Sequence, residues 1–127
     1  MSTALGPDLS VIPLPLRPAL EGRLERLAAI DGLPLGDGAA LVARSLGLVW
    51  TCSDFVADSC LRDAALLPWL CEGGRLEEAV TGEALGRELD EDLAPIDDDA
   101  RFMDALRRFR RRQLVRIAWR DLAGLAD

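Results

Sequence analysis

The sequence of 127 residues predicts an all-α fold. Leu and Ala together supply 42 residues, whereas Val, Ile, Thr, Phe and Trp together supply 19. Since the first group favours helices and the second favours strands, no sheet is expected. The prolines and glycines divide the chain into short helices followed by one long arginine-rich helix at about residues 97–124. A chain of this length fits one domain.

The first 18 residues differ in pattern from the rest. Residues 1–18 contain four prolines, which alternate with apolar side chains and predict a poorly ordered, extended arm. Residues 19–127 are predicted to be helical. Leu20, Leu24 and Leu27 recur at helical spacing and predict a first short helix, which Asp31-Gly32 and Pro34 end. A second helix is predicted from Asp37 to about Trp50.

The segment TCSDFVADSCLRD, residues 51–63, predicts a third helix. Thr51 or Ser53 can cap its start, and Asp54 suits the positive end of the helix dipole. Phe55, Val56, Cys60 and Cys52 are predicted to form its apolar stripe. The chain's three cysteines include no CxxC pair, so no disulfide is expected. With no signal peptide or membrane span predicted, we expect a cytoplasmic protein and no membrane partner.

Charge is segregated along the chain rather than mixed. Residues 72–99 carry 11 acids and two arginines, whereas residues 101–120 carry eight arginines and one acid. The net charge of −7 therefore divides into +7 on residues 101–120 and −14 on the rest of the chain. This division predicts that the arginines pair with acids of the same chain or of a protein partner, and argues against nucleic acid as the partner.

A helical wheel predicts which side of the long helix is buried. One arc of roughly 140° holds its main apolar side chains. These are Phe102, Met103, Leu106, Phe109, Leu114 and Ile117, with Gln113. Arg110 falls inside this arc, so we predict that it is at least half buried and paired with an acid from another segment. Trp119 and Leu122 point to the opposite side, where they are predicted to pack against a following domain and to be exposed without it.

The residue types exclude several kinds of catalytic site. Without histidine, the chain cannot form a Ser-His-Asp or Cys-His site or a common zinc site. No glycine-rich phosphate loop is present. Asp90-x-Asp92 and Asp97-x-Asp99 have the spacing of metal ligands, but Asp97–Asp99 opens a helix and is better explained as its cap. We therefore predict no catalytic, cofactor-binding or metal-binding residue in this chain.

Two blocks of the sequence, VWTCSDFVADSCLRDAALLPWL (49–70) and FMDALRRFRRRQLVRIAWRDLAG (102–124), are long enough to compare with known families. They resemble the N-terminal region of bacterial glutamine synthetase adenylyltransferases. Members of that family add AMP to a tyrosine of glutamine synthetase and remove it by phosphorolysis. The resemblance implies Mg²⁺ and ATP for the full-length enzyme, with glutamine synthetase and the PII regulatory protein as partners. It also implies a nucleotidyltransferase domain downstream of the arginine-rich helix, after Asp127.

The resemblance makes one function the leading expectation. Residues 19–127 are predicted to be a helical scaffold segment that precedes the nucleotidyltransferase domain and is inactive alone. The alternative is a stand-alone helical adaptor, in which the acidic segment and the arginine helix bind separate protein partners. A small protein that binds nucleic acid through residues 107–116 is the weakest alternative, because the chain as a whole is acidic.

Overall fold

The computed structural model describes residues 12–30 and 38–125, and these residues form helices and connecting turns without any strand. A 3-10 turn spans Leu14–Leu16. The helices are α1 (Arg17–Ala28), α2 (Ala39–Cys52), α3 (Asp54–Arg62), α4 (Leu66–Leu70), α5 (Gly82–Leu93) and α6 (Asp99–Leu122). The predicted all-α fold is confirmed, as is the long arginine-rich helix that ends it. At 24 residues, α6 is roughly 36 Å long.

The predicted extended arm falls largely outside the described residues, which begin at Ile12. Its described part, residues 12–18, contains the 3-10 turn and the start of α1 rather than an extended chain. Ile12 is buried, and its carbonyl oxygen accepts a hydrogen bond of 2.8 Å from Nε of Arg17. The short stretch before α1 is therefore anchored to the helical body. The predicted stop at residues 31–34 also lies outside the described residues.

Local sequence signals set the ends of the later helices. The Ser53 hydroxyl caps α3 by accepting from the backbone N–H of Val56 at 3.2 Å, and α2 and α3 meet there at 120°. Asp98 caps α6 by accepting from the N–H of Arg101, which confirms the capping role expected for this acidic run. Gly124 ends α6 with a positive φ of 75°, a conformation that glycine adopts without strain.

The core lies among α1 to α4 and the C-terminal half of α6. Trp50 and Trp119 are its largest fully buried side chains. The other members are mostly aliphatic, and α5 contributes none of the buried residues. The apolar stripe predicted for α3 is only half correct, because Val56 and Cys60 are buried whereas Phe55 and Cys52 are exposed.

The long connection from Cys71 to Thr81 contacts both the start of α2 and the side of α6. The N–H of Gly38 donates to the carbonyl oxygen of Cys71 at 2.7 Å. A Cβ at Gly38 would meet the same carbonyl oxygen at 3.0 Å, so only glycine fits without a shift. Arg75 and Leu76, further along this connection, lie beside α6 and present their carbonyl oxygens to it.

No helix in the described part of the chain is long and apolar enough to cross a membrane by itself. Only α2 and α3 taken together meet that criterion of length and composition, across their 120° bend.

Candidate functional site

Three arginines of α6 hold this helix against the rest of the described chain. Arg112, Arg116 and Arg120 are four residues apart, so they lie along one side of the helix. We call these three residues the arginine ladder. Arg116 is 5% exposed and Arg120 is 8% exposed. Guanidinium groups are rarely buried unless their donors are satisfied, so the partners of each member explain the position of the helix.

Arg112 joins α6 to the corner between α3 and α4. Its Nε and Nη2 lie 3.2 and 3.1 Å from Oδ2 of Asp63, and each side chain is about 20% exposed. The other carboxylate oxygen of Asp63 accepts from the backbone N–H of Ala65 at 3.1 Å. Asp63 therefore orders the turn before α4 and binds α6 with the same carboxylate. The guanidinium also lies 6.0 Å from the centre of the Trp69 ring.

Arg116 is the most deeply buried arginine of the ladder. Its Nε donates to the carbonyl oxygen of Arg75 at 2.9 Å, and its Nη1 lies 3.4 Å from Oε2 of Glu88 in α5. Burial lowers the pKa of the Arg116 guanidinium, and the Glu88 carboxylate opposes that shift. Arginine has so high a pKa in water that the Arg116 guanidinium stays protonated in spite of this shift. Arg116 therefore joins α6 to both α5 and the connection before it.

Arg75 extends this cluster toward α4. Its guanidinium stacks on the ring of Trp69 at 4.2 Å from the ring centre and donates to the Trp69 carbonyl oxygen at 2.6 Å. Its Nη1 also lies 3.3 Å from Oε1 of Glu72, and its Nε lies 4.0 Å from Oε1 of Glu88. The carbonyl oxygen that receives Arg116 thus belongs to a residue whose own side chain is fixed at several points.

Arg120 and Trp119 complete the attachment of the helix. Arg120 donates from Nε to the carbonyl oxygen of Leu76 at 3.0 Å and from Nη2 to that of Leu125 at 3.2 Å. Trp119 is fully buried, and its Nε1 donates to Oγ of Ser45 at 2.8 Å. The Ser45 hydroxyl in turn donates to the carbonyl oxygen of Leu41 at 2.7 Å. Both polar groups of this buried pair are therefore satisfied.

The prediction for Arg110 is wrong. Arg110 is exposed, and in residues 12–30 and 38–125 no acidic side chain forms an ion pair with it. A buried-side arginine paired with an acid from another segment does exist, but it is Arg116. The buried side of α6 is therefore rotated by roughly 100° about the helix axis from the predicted arc. The ladder arginines occupy much of the buried side, and several apolar residues of the predicted arc face solvent.

The packing predictions for the same arc are corrected in the same way. Phe102 and Ile117 are exposed, at 39% and 45%, whereas Leu106 and Phe109 are half-buried. Trp119 packs as predicted, but inside this chain and not against a following domain, so its expected exposure is wrong. Leu122 is half-buried and packs on the core. Val115 and Trp119, flanked by arginines at four-residue spacing, were the signal in the sequence for this buried side.

The carboxylates and thiols of the described residues do not gather into a metal-binding cluster. No group of three or more Cys, Asp or Glu side chains that could hold a metal ion occurs in the part of the chain that the structure describes. Asp97 and Asp99 flank the helix cap, and Asp90 and Asp92 are exposed on α5. No chemical step is assigned to these carboxylates.

The three cysteines have different surroundings. Cys60 and Cys71 are buried and Cys52 is exposed. Burial raises the pKa of the Cys60 thiol far above its ordinary value of 9.0. Since the thiolate is the reactive form, Cys60 is chemically inert near neutral pH.

The described residues thus define a helical unit whose last helix is docked through buried arginines and which contains no cluster of reacting groups. A family model for glutamate-ammonia ligase adenylyltransferase matches residues 43–127. The match covers more than half of the chain, including α3, α4 and the whole ladder with its partners. The chain therefore belongs to the glutamate-ammonia ligase adenylyltransferase family, as its two sequence blocks suggested.

Individual relatives agree with this assignment. Each is a bifunctional glutamine synthetase adenylyltransferase/adenylyl-removing enzyme. The Nitrosococcus oceani enzyme is 42% identical over 88 residues, which are 69% of this chain and 9% of that enzyme. The Thioalkalivibrio sulfidiphilus enzyme is 34% identical over 123 residues, 94% of this chain and 12% of the relative. The Pseudomonas aeruginosa enzyme is 38% identical over 131 residues, 95% of this chain and 13% of the relative.

The chain therefore spans about a tenth of the length of these curated relatives. No solved structure gives a significant match to it.

Proposed function

We propose that this chain is a helical scaffold segment of an enzyme that adds AMP to glutamine synthetase and removes it again. The observation that carries the proposal is the family match over residues 43–127, which contain the arginine ladder and all of its partners. A scaffold role is consistent with a unit whose charged groups are used for internal attachment. In this proposal the chain has no activity alone.

The reacting groups belong, in this proposal, to a nucleotidyltransferase domain of the same enzyme. ATP and Mg²⁺ bind to that domain rather than to helices α1 to α6, whose carboxylates do not form a suitable cluster. Glutamine synthetase is the proposed substrate protein, PII the proposed regulator and the cytoplasm the proposed location. The scaffold segment holds its helices in a fixed arrangement, against which that domain packs.

Neither alternative function has an observation that favours it over the scaffold role. The family match over residues 43–127 does not favour a stand-alone adaptor, and three of the eight arginines in residues 101–120 are bonded within the chain. A nucleic-acid-binding helix would need a continuous basic face. The exposed arginines of α6 are instead interrupted by exposed apolar side chains such as Leu114 and Ile117.

A chimeric enzyme tests the proposal. The matched segment of the Pseudomonas aeruginosa relative is replaced by residues 12–125 of this chain, and AMP transfer to and release from purified glutamine synthetase are both measured. We expect activity within about tenfold of the parent, since the packing of the segment is retained. The isolated chain should show neither activity. A folded chimera that lacks both activities, or activity of the isolated chain, contradicts the scaffold role.

A further inference from the structure

The side of α6 that faces away from the ladder carries a row of exposed side chains with the spacing of a helix-pairing seam. Its members follow one another at alternating intervals of four and three residues: Met103, Arg107, Arg110, Leu114, Ile117 and Asp121. All six are exposed. We call this row the outer seam. Side chains at such intervals line up along a helix and form the contact between paired helices in coiled coils.

The outer seam carries two aliphatic side chains, Leu114 and Ile117, between its arginines and Asp121, and it borders two depressions. Leu114 and Ile117 are each 45% exposed. Together with Val80 and Leu85 they line a depression of about 640 Å³ between α6 and the start of α5. Leu114 also borders a second depression of about 220 Å³, whose other apolar wall is Phe55, 47% exposed. Large aliphatic and aromatic side chains grouped in this way mark a binding surface more often than an ordinary exterior.

The N-terminal half of the outer seam is strongly positive. Arg107, Arg110 and Arg111 line the smaller depression beside Phe55 and Leu114. Of these three arginines, Arg107 is paired with an acidic side chain, that of Asp104, at 3.4 Å. In the described part of the chain, Arg110 and Arg111 have no ion-pair partner. A partner that covers this surface must therefore present carboxylates at one end and apolar side chains at the other.

We infer that the outer seam of α6 binds an acidic amphipathic helix from the remainder of the same enzyme, with carboxylates against Arg107, Arg110 and Arg111 and aliphatic side chains against Leu114 and Ile117. The inference rests on the proposed function and names the surface through which the scaffold meets the rest of the polypeptide. The curated relatives have about nine-tenths of their length outside the matched segment, so they contain ample chain to supply such a helix.

Two other occupants fit the outer seam less well. In an antiparallel pair that sets Asp121 of one copy against Arg107 of the other, Arg110 and Arg111 lie opposite Ala118 and Ile117 and have no carboxylate to pair with. Nucleic acid would place phosphates over Leu114, Ile117 and Phe55, whose apolar surface gains nothing from that contact. An acidic helix compensates the arginines and buries the apolar side chains at the same time.

Thiol labelling tests the inference. A Leu114→Cys thiol is introduced into a Cys52→Ser background, in which the remaining cysteines, Cys60 and Cys71, are buried. Its rate of reaction with a fluorescent maleimide is compared between the isolated chain and the chimera with the Pseudomonas aeruginosa relative. We expect at least tenfold slower labelling in the chimera. A thiol at position 101, exposed on the other side of α6, should react at the same rate in both.

Charge reversal then tests the chemistry of the occupant. Arg110→Glu should raise the labelling rate at position 114 of the chimera at least threefold, whereas the matched reversal Arg101→Glu should leave it unchanged. Equal labelling of position 114 in the isolated chain and the chimera overturns the inference. The inference is also overturned if labelling of position 114 in the isolated chain slows as the concentration of that chain rises, which would indicate a second copy as the occupant. Slower labelling on addition of a 20-base-pair DNA duplex would overturn it as well.

The same samples separate this inference from the proposed function. A chimera that protects position 114 but neither adds nor removes AMP supports the docking surface and contradicts the proposed activity. An active chimera in which position 114 reacts as fast as in the isolated chain supports the proposed activity and contradicts the docking surface.

Discussion

Removing the side chain of Arg116 should destabilise the chain far more than removing that of Arg110. The Arg116→Ala change deletes a charge-assisted hydrogen bond to the carbonyl oxygen of Arg75 at 2.9 Å and an ion pair with Glu88 at 3.4 Å. The bond contributes about 2 kcal/mol. Because Glu88 is 27% exposed, the ion pair adds only about 1 kcal/mol. The expected loss is therefore about 3 kcal/mol, against less than about 0.5 kcal/mol for Arg110→Ala.

Urea denaturation followed by circular dichroism measures both variants. With a slope of about 1.5 kcal/mol per M, the midpoint for Arg116→Ala should fall by about 2 M and that for Arg110→Ala by less than about 0.3 M. Arg116→Lys should lie between them, since one ammonium keeps the charge but cannot reach both acceptors. Equal small shifts for the two alanine variants, or a larger shift for Arg110→Ala, would refute the assignment of Arg116 as the buried partner.

Three further predictions concern the core and one helix cap. Trp119→Phe should cost about 2 kcal/mol in urea denaturation, because it removes the bond to Ser45 and leaves a small cavity; a loss under about 0.5 kcal/mol would contradict the buried pair. Ser53→Ala should cost about 1 kcal/mol through loss of the α3 cap, and an unchanged midpoint would argue against that cap. Above pH 9.0 the Cys60 thiol ionises in the unfolded chain, whereas burial keeps it protonated in the folded chain. The free energy of unfolding should therefore fall as pH rises, by up to about 1.4 kcal/mol per pH unit. Cys60→Ala should flatten this dependence, and an identical slope in both proteins would count against the buried thiol.

The features that could be predicted from the sequence are those set by neighbouring residues. The cap at Ser53, the acidic start of α6 and the glycine after its end are local signals, so α6 was predicted at about 97–124 and is found at Asp99–Leu122. The preference of Leu and Ala for helices likewise determined the all-α class. These effects operate within a few residues, where spacing along the chain determines spacing in the structure.

The orientation of α6 could not be predicted in the same way. The helical wheel assumes that the most apolar arc is buried, whereas α6 buries Arg116 and Arg120 and exposes Ile117 and Leu114. Burial of the two guanidinium groups is favourable in part because they donate to the backbone carbonyl oxygens of Arg75 and Leu76. Every residue has such an oxygen, so nothing in the sequence marks these two as partners. Their placement depends on the whole connection between α4 and α5.

Hydroxyl-radical footprinting of the unmodified chain tests the orientation of α6 most directly. Radical oxidation depends on solvent access, and mass spectrometry locates it residue by residue. The structure predicts fast oxidation of Met103 and Phe102 and slow oxidation of Trp119, which is fully buried although indole is among the most reactive side chains. Oxidation of Trp119 as fast as that of Met103, with Phe102 protected, would show that α6 turns its apolar arc inward and would contradict docking through the arginine ladder.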